Sequence, residues 1–252
     1  MKRHIPNAIT LLNLLSGCIA VILAVNNDFV AAALFVFLGI FFDFFDGFAA
    51  RKLKVSSPLG LQLDSLADMV TSGLVPGVIM YKLLLMATGG FETYTEASHW
   101  QEHSNWMDTK LEILPLMGLL ITLASAYRLA KFNIDEDQQT YFKGLPTPAN
   151  ALLILSLPLI IEFQNSDVIN AIILNPWFLI ILTLVSCYIL NANIKLFALK
   201  FKNYGFSDNV MRYVFIILCV VLLIVLQFAA IPLIILLYIG MSVLDNVIPK
   251  KQ

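Results

Sequence analysis

The chain has 252 residues, of which 59% are hydrophobic and 13% charged, and its formal net charge is −1. Soluble domains carry roughly 25% charged residues, so this composition points to a membrane protein. A nearly neutral chain lacks the basic surface that a nucleic-acid partner requires, and no polar tract divides it into two domains.

Apolar runs of spanning length fall at 7–25, 29–50, 58–87, 111–131, 147–163, 174–191, 211–228 and 231–247. They predict an all-α integral membrane protein, a polytopic helical bundle of about eight transmembrane helices. The last two runs are separated only by Phe228-Ala-Ala-Ile-Pro232, a tight turn back or a kink, which leaves seven as the competing count. The opening Met1-Lys2-Arg3-His4 resembles the start of a signal peptide. It lacks a small-x-small cleavage site and reads as the start of a retained helix. Cys18, Cys187 and Cys219 sit in apolar runs without metal-like spacing and read as small buried hydrophobes. The expected organisation is a single membrane domain over 1–252. Residues 1–191 form a six-helix core, and 192–252 form a basic connector with two further helices.

Charge distribution gives the expected orientation. With the N-terminus inside, fourteen of the sixteen Lys and Arg fall on the inner side, leaving Lys82 and Lys110 outside. The outer loops collect Glu92, Glu96, Glu102, Asp108, Glu112, Glu162 and Asp167 instead. Both termini are therefore expected in the cytoplasm, with the protein in the cell membrane. The same topology brings the N-terminal segment, the junction of helices two and three, and the 128–150 connection to one cytoplasmic face.

That junction carries the most informative residues. Asp43, Asp46, Asp64 and Asp68 lie in or against stretches apolar enough to span a bilayer. An ionisable group at that depth costs on the order of 2.5–3.5 kcal/mol on insertion scales. Acids at i, i+3 and i, i+4 share a helix face, and two such pairs converge if their helices are adjacent. Clustered carboxylates in a membrane suggest a divalent metal and, through it, phosphate. Structural ion pairs would need four cations at that depth, and only Arg51 and Arg128 are available. A cation transporter also explains intramembrane acids, but not the small residues and arginine spaced between them.

Those residues complete the pattern D-x2-D-G-x2-A-R-x8-G-x3-D-x3-D, from Asp43 through Gly47, Ala50, Arg51 and Gly60 to Asp68. The pattern resembles the signature of the CDP-alcohol phosphatidyltransferases at all eight fixed positions. Pro6-Asn7-x2-Thr10-x2-Asn13-x3-Gly17, Arg128-Leu-Ala-Lys131-Phe132-Asn133 and Lys143-Gly144-Leu145-Pro146-Thr147-Pro148-Ala149-Asn150 resemble stretches of that family's serine-using branch. The resemblance implies transfer of a phosphatidyl group from CDP-diacylglycerol to L-serine, releasing CMP and forming phosphatidylserine. Glycerol 3-phosphate or inositol phosphate is the alternative acceptor. Intramembrane prenyltransferases, the other Asp-rich class, carry a second Asp motif about a hundred residues away, which this chain lacks.

By the same resemblance Asp43, Asp46 and Asp64 bind divalent metal, Mg2+ or Mn2+, as two ions. Asp68 completes the second position and acts as general base. Gly47, Ala50, Arg51, Gly60, Ser65, Thr10 and Asn13 are expected around the CDP-lipid, against membrane lipids. Arg128, Lys131, Asn133, Thr147 and Asn150 are expected around serine, with Arg128 the first choice for its carboxylate because the guanidinium fork matches it bidentately. A homodimer is implied as well. Two other features are set aside: His99-x3-His103, which has metal-pair spacing but no third ligand, and the basic, aromatic run 195–212, an interfacial segment or a plain connector.

Overall fold

The computed structural model describes residues 4–55, 57–89, 112–134, 142–164, 166–196 and 210–247. His99, Glu96, His103 and most of the 195–212 run lie outside them. The described residues form a bundle of helices with one two-residue antiparallel ladder.

Helix α1, Ile5–Val25, opens on Pro6, which suits a first turn because its missing N–H has no partner there anyway. Its buried face is Pro6, Thr10, Asn13, Ser16, Gly17, Ala20 and Ala24, at helical spacing. Leu11, Leu15 and Ile22 point outward. Small and polar inside with large apolar outside is the membrane arrangement, in which small residues let backbones approach. Helix α2, Phe29–Leu53, repeats it, burying Ala32, Ala33, Val36, Gly39 and Asp46 and exposing Phe41, Phe44 and Phe48. The Asp28 carboxylate caps its N-terminus by accepting from Ala31 N at 3.0 Å. Lys54, at φ 53°, ends it in the left-handed region. α1 and α2 pack along their lengths.

Helix α3, Pro58–Asp68, is capped by the Ser57 hydroxyl, which accepts from Gly60 N at 3.1 Å. It runs into a π-helical turn, Met69–Leu74, and then into α4, Val75–Ala87. Pro76 supplies a reason for the break, since it has no N–H to donate four residues back, to Ser72. Next come a short helix α5, Ile113–Leu116, a 3-10 turn, Met117–Leu119, and α6, Leu120–Ile134. Strand β1, Phe142–Lys143, precedes α7, Thr147–Gln164. Helix α8, Asp167–Ile173, meets α9, Pro176–Asn191, at a 59° bend. The Asn175 side chain caps α9 by accepting from Trp177 N at 2.9 Å. Strand β2, Lys195–Leu196, pairs with β1.

Helices α10, Val210–Leu226, and α11, Ala230–Val247, follow. Among the described residues six helical stretches are long and apolar enough to cross a membrane, or up to seven if the bent α8–α9 pair is one span. One of the six, Arg212–Leu244, is not a straight rod. The Phe215 and Tyr238 rings are 5.7 Å apart, whereas a continuous helix would separate them by about 35 Å. The chain folds back at Gln227, whose φ is 49°, one residue before the Phe228–Pro232 segment. Gln164 holds that turn: its Nε2 donates to Leu226 O at 2.8 Å, and its Oε1 accepts from Ala229 N at 3.1 Å. Phe163 stacks on Phe228 with centroids 5.1 Å apart.

The main apolar core is gathered from α1, α2, α4, α7 and α9 around Ile79, Met80, Leu83 and Ile154. A smaller core of Leu145, Leu196 and Ile235 ties the C-terminal hairpin to the turn before α7.

Candidate active site

The last turns of α2 and the body of α3 set their acids against each other. Carboxylate oxygens of Asp43, Asp64 and Asp68 lie within 4.8 Å of one another. Oδ1 of Asp64 is buried and has no hydrogen-bond partner. Three acidic oxygens this close repel, and a buried lone pair left unpaired costs about 1–3 kcal/mol. Both problems are removed by a hard cation that prefers oxygen ligands, so the donor set fits a divalent metal.

Asp46 lies outside that 4.8 Å set. It is 6% exposed, and its Oδ2 accepts from the Thr10 hydroxyl at 2.5 Å. Thr10 therefore fixes Asp46 from α1. Asp46 and Asp64 both face an open cleft of about 180 Å³. Thr10, Gly47, Ala50 and Gly60 line it too, with Pro6, Asn7, Val55, Ser57 and Leu61. A Cβ on Gly60 would lie 3.3 Å from Asn7 Oδ1, and one on Gly47 would lie 3.4 Å from Arg51 Nη1. The Arg51 guanidinium thus folds back over Gly47, one residue from Asp46. Asn7 and Ser57 carried signals that were readable, in the Pro-Asn stretch and in the Ser-Pro helix start, yet were not among the expected site residues.

Asn13, Arg51 and Ser65 are not among the residues that line the cleft. The Asn13 amide donates to Asp68 Oδ1 at 3.2 Å. Ser65 is hydrogen-bonded to Asn133, whose Nδ2 stands 3.0 Å from its Oγ. That contact joins α3 to α6 across sixty-eight residues of sequence.

Arg128 anchors a second feature. Its Nη1 donates to Lys143 O at 2.9 Å and to Leu190 O at 2.6 Å. The carbonyls in the last turn of a helix have no intrahelical donor and carry partial negative charge, which a guanidinium complements. Leu145 N serves the neighbouring carbonyl, Ile189 O, at 3.1 Å, and Gly144 N donates to Ile194 O at 2.9 Å. Gly144 is required twice over. Its φ is 73°, and a Cβ there would lie 2.6 Å from Leu190 O. The turn before α7 is in this way stitched to the end of α9.

Arg128, Lys131 and Lys143 line a small cavity there with Phe132, Leu190, Asn191, Ala192 and Asn193. Of the five residues expected around serine, Arg128 and Lys131 reach it. Asn133 turns to Ser65, and Thr147 and Asn150 are buried in the first turn of α7. Both polar atoms of the Asn150 amide lack a partner. Asn191 and Asn193 gave no signal in the sequence.

The sequence profile of the CDP-alcohol phosphatidyltransferase family matches residues 3–188. The chain is similar to a CDP-diacylglycerol–serine O-phosphatidyltransferase of Bacillus subtilis, at 33% identity over 68% of this chain and 81% of that protein. It is similar to proteins of the same name from Methanocaldococcus jannaschii and Saccharomyces cerevisiae. The first is 30% identical over 67% of this chain and 66% of that protein. The second is 33% identical over 61% of this chain, and the match spans only 53% of that protein's length.

Proposed function

Because the chain belongs to the CDP-alcohol phosphatidyltransferase family, we propose that it transfers the phosphatidyl group of CDP-diacylglycerol to L-serine, giving phosphatidylserine and CMP. The observation that carries the reading is the carboxylate set of Asp43, Asp64 and Asp68 beside the Asp46–Asp64 cleft. Serine as acceptor rests on the activity for which the relatives are named and on the Arg128–Lys131–Lys143 cavity.

In this reading the four aspartates hold Mg2+ or Mn2+, and a bound divalent cation supplies the positive charge that lets a diphosphate approach carboxylates. Thr10 orients Asp46, while Gly47, Ala50, Arg51 and Gly60, with Asn7 and Ser57, receive the nucleotide end of the lipid. Arg128, Lys131, Asn133, Thr147 and Asn150 serve the acceptor, with Arg128 and Lys131 nearest its carboxylate. Asp68 takes the proton of the serine hydroxyl. The serine oxygen then bonds to the phosphorus carrying diacylglycerol, the bond from that phosphorus to the bridging oxygen breaks, and CMP leaves with the electron pair. Purified protein given CDP-diacylglycerol and manganese should release CMP with serine, and far more slowly with glycerol 3-phosphate, inositol or inositol phosphate. Faster release with a phosphorylated acceptor would reassign the basic cavity to that phosphate. Metal-dependent ion flux without nucleotide-dependent activity would favour the transporter reading.

The proposal extends to topology: eight crossings, with α10 and α11 counted separately, a 1–191 catalytic core, both termini in the cytoplasm and the site at the cytoplasmic face of the cell membrane. Two such chains are proposed to form a homodimer. Cysteines placed at Lys54 and Lys143, in a background without Cys18, Cys187 and Cys219, should resist an impermeant thiol reagent in intact cells. One at Glu96 should label readily, and the reverse pattern would put the site outside.

A further inference from the structure

We infer that Thr71 is a positioning residue for the transfer step, acting through Asn13 on the carboxylate of Asp68. The inference rests on the proposed role of Asp68 as base and extends it to a residue outside the aspartate pattern.

Three hydrogen-bonding groups form a line. The Thr71 hydroxyl stands 2.8 Å from Asn13 Oδ1 and 3.2 Å from Asn13 O. Asn13 Nδ2 donates to Asp68 Oδ1 at 3.2 Å. Asn13 is fully buried and Thr71 is 1% exposed, so water does not compete for either group. A side-chain amide has one accepting and one donating end. With Thr71 donating to the accepting end, the donating end is directed at Asp68. The opposite orientation would set the amide oxygen against a carboxylate oxygen.

The surroundings are shaped to this arrangement. A Cβ on Gly17 of α1 would lie 2.5 Å from Thr71 Oγ1. One on Gly39 of α2 would lie 2.6 Å from Thr71 Cγ2 and 2.9 Å from Asn13 Oδ1. Two helices therefore come into backbone range of one threonine, and any side chain at Gly17 or Gly39 would collide with it. Thr71 sits in the π-helical turn that begins directly after Asp68, a conformation that recurs at functional sites. One oxygen of Asp68 is thus tied to α1, and the carboxylate's plane is set for the proton it receives.

The test uses Thr71→Val and Thr71→Ala, which remove the hydroxyl, and Thr71→Ser, which keeps it, in the full-length purified protein. Outer partners of a reacting or ligating carboxylate typically matter by about 10–100-fold. Thr71→Val and Thr71→Ala should lower kcat by about 10-fold with both substrate KM values within about twofold, and Thr71→Ser should stay within about threefold of the parent. In an Asp68→Asn background Thr71→Val should cost less than about twofold more, since residues in one network are not additive. Mn2+ titrated into the substrate-free protein, followed by its paramagnetic resonance signal, should bind Thr71→Val about 10-fold more weakly. Parental kcat in both Val and Ala variants, or a full further loss in the Asp68→Asn background, or unchanged Mn2+ affinity would overturn the role of Thr71. Parental kcat in Asp68→Asn alone would instead overturn the base assignment on which it rests.

Discussion

Asp68→Asn is expected to lower kcat by about 100-fold or more while the KM for serine changes little, because a positioned base contributes roughly 10²–10⁴-fold and makes its contribution in the transition state. Asparagine has nearly the shape of aspartate and can still accept from the Asn13 amide, so the helix contacts of α3 survive the change. What it loses is the capacity to take a proton and one of the three acidic oxygens that lie within 4.8 Å of one another. Steady-state CMP release over a serine series separates the two kinetic constants. An unchanged kcat with a raised KM for serine would move Asp68 from proton transfer to acceptor binding.

Arg128→Lys should fail in a different way. One nitrogen of Arg128 already serves two backbone carbonyls, Lys143 O and Leu190 O, and the residue also lines the basic cavity. A lysine ammonium is a single point charge without that planar fork. It cannot bridge both carbonyls and still present a second donor pair. The KM for serine should rise about tenfold or more, on the scale of a lost charge-assisted hydrogen bond. The loss in kcat should be smaller and the response to CDP-diacylglycerol unchanged. Impaired use of the CDP-lipid at a normal serine KM would place Arg128 with the nucleotide instead.

Much of this site was legible in the sequence because its chemistry is costly. Carboxylates in an apolar helix announce themselves, and the 3- and 4-residue spacing of Asp43, Asp46, Asp64 and Asp68 already placed each pair on one face. The split between them was not legible. Asp46 turns to Thr10 while the other three converge, a choice made by packing between α1 and α2. Thr71 gave no signal, since a threonine in an apolar run reads as filler until the π turn and two glycines close around it. Arg128 was read as a ligand for serine, but its first partners are carbonyls fifteen and sixty-two residues away. Such backbone partners carry no side-chain signature. In the fold, α8 was missed because its seven residues fall short of a spanning run, and the Asn175-Pro176 start of α9 was absorbed into the apolar stretch. The fold-back near the C-terminus is expected across Phe228–Pro232, and the left-handed residue lies one position earlier, at Gln227, held by Gln164 from another helix.

The most direct test combines acceptor and metal in one assay. Metal-stripped protein receives CDP-diacylglycerol and radiolabelled L-serine, with either Mn2+ or a chelator. With Mn2+, label should pass into the lipid fraction in equal amount to the CMP released, and with chelator neither should form. Label that stays in the aqueous phase while CMP appears, or transfer undiminished in chelator, would contradict a metal-dependent transfer of the phosphatidyl group to serine.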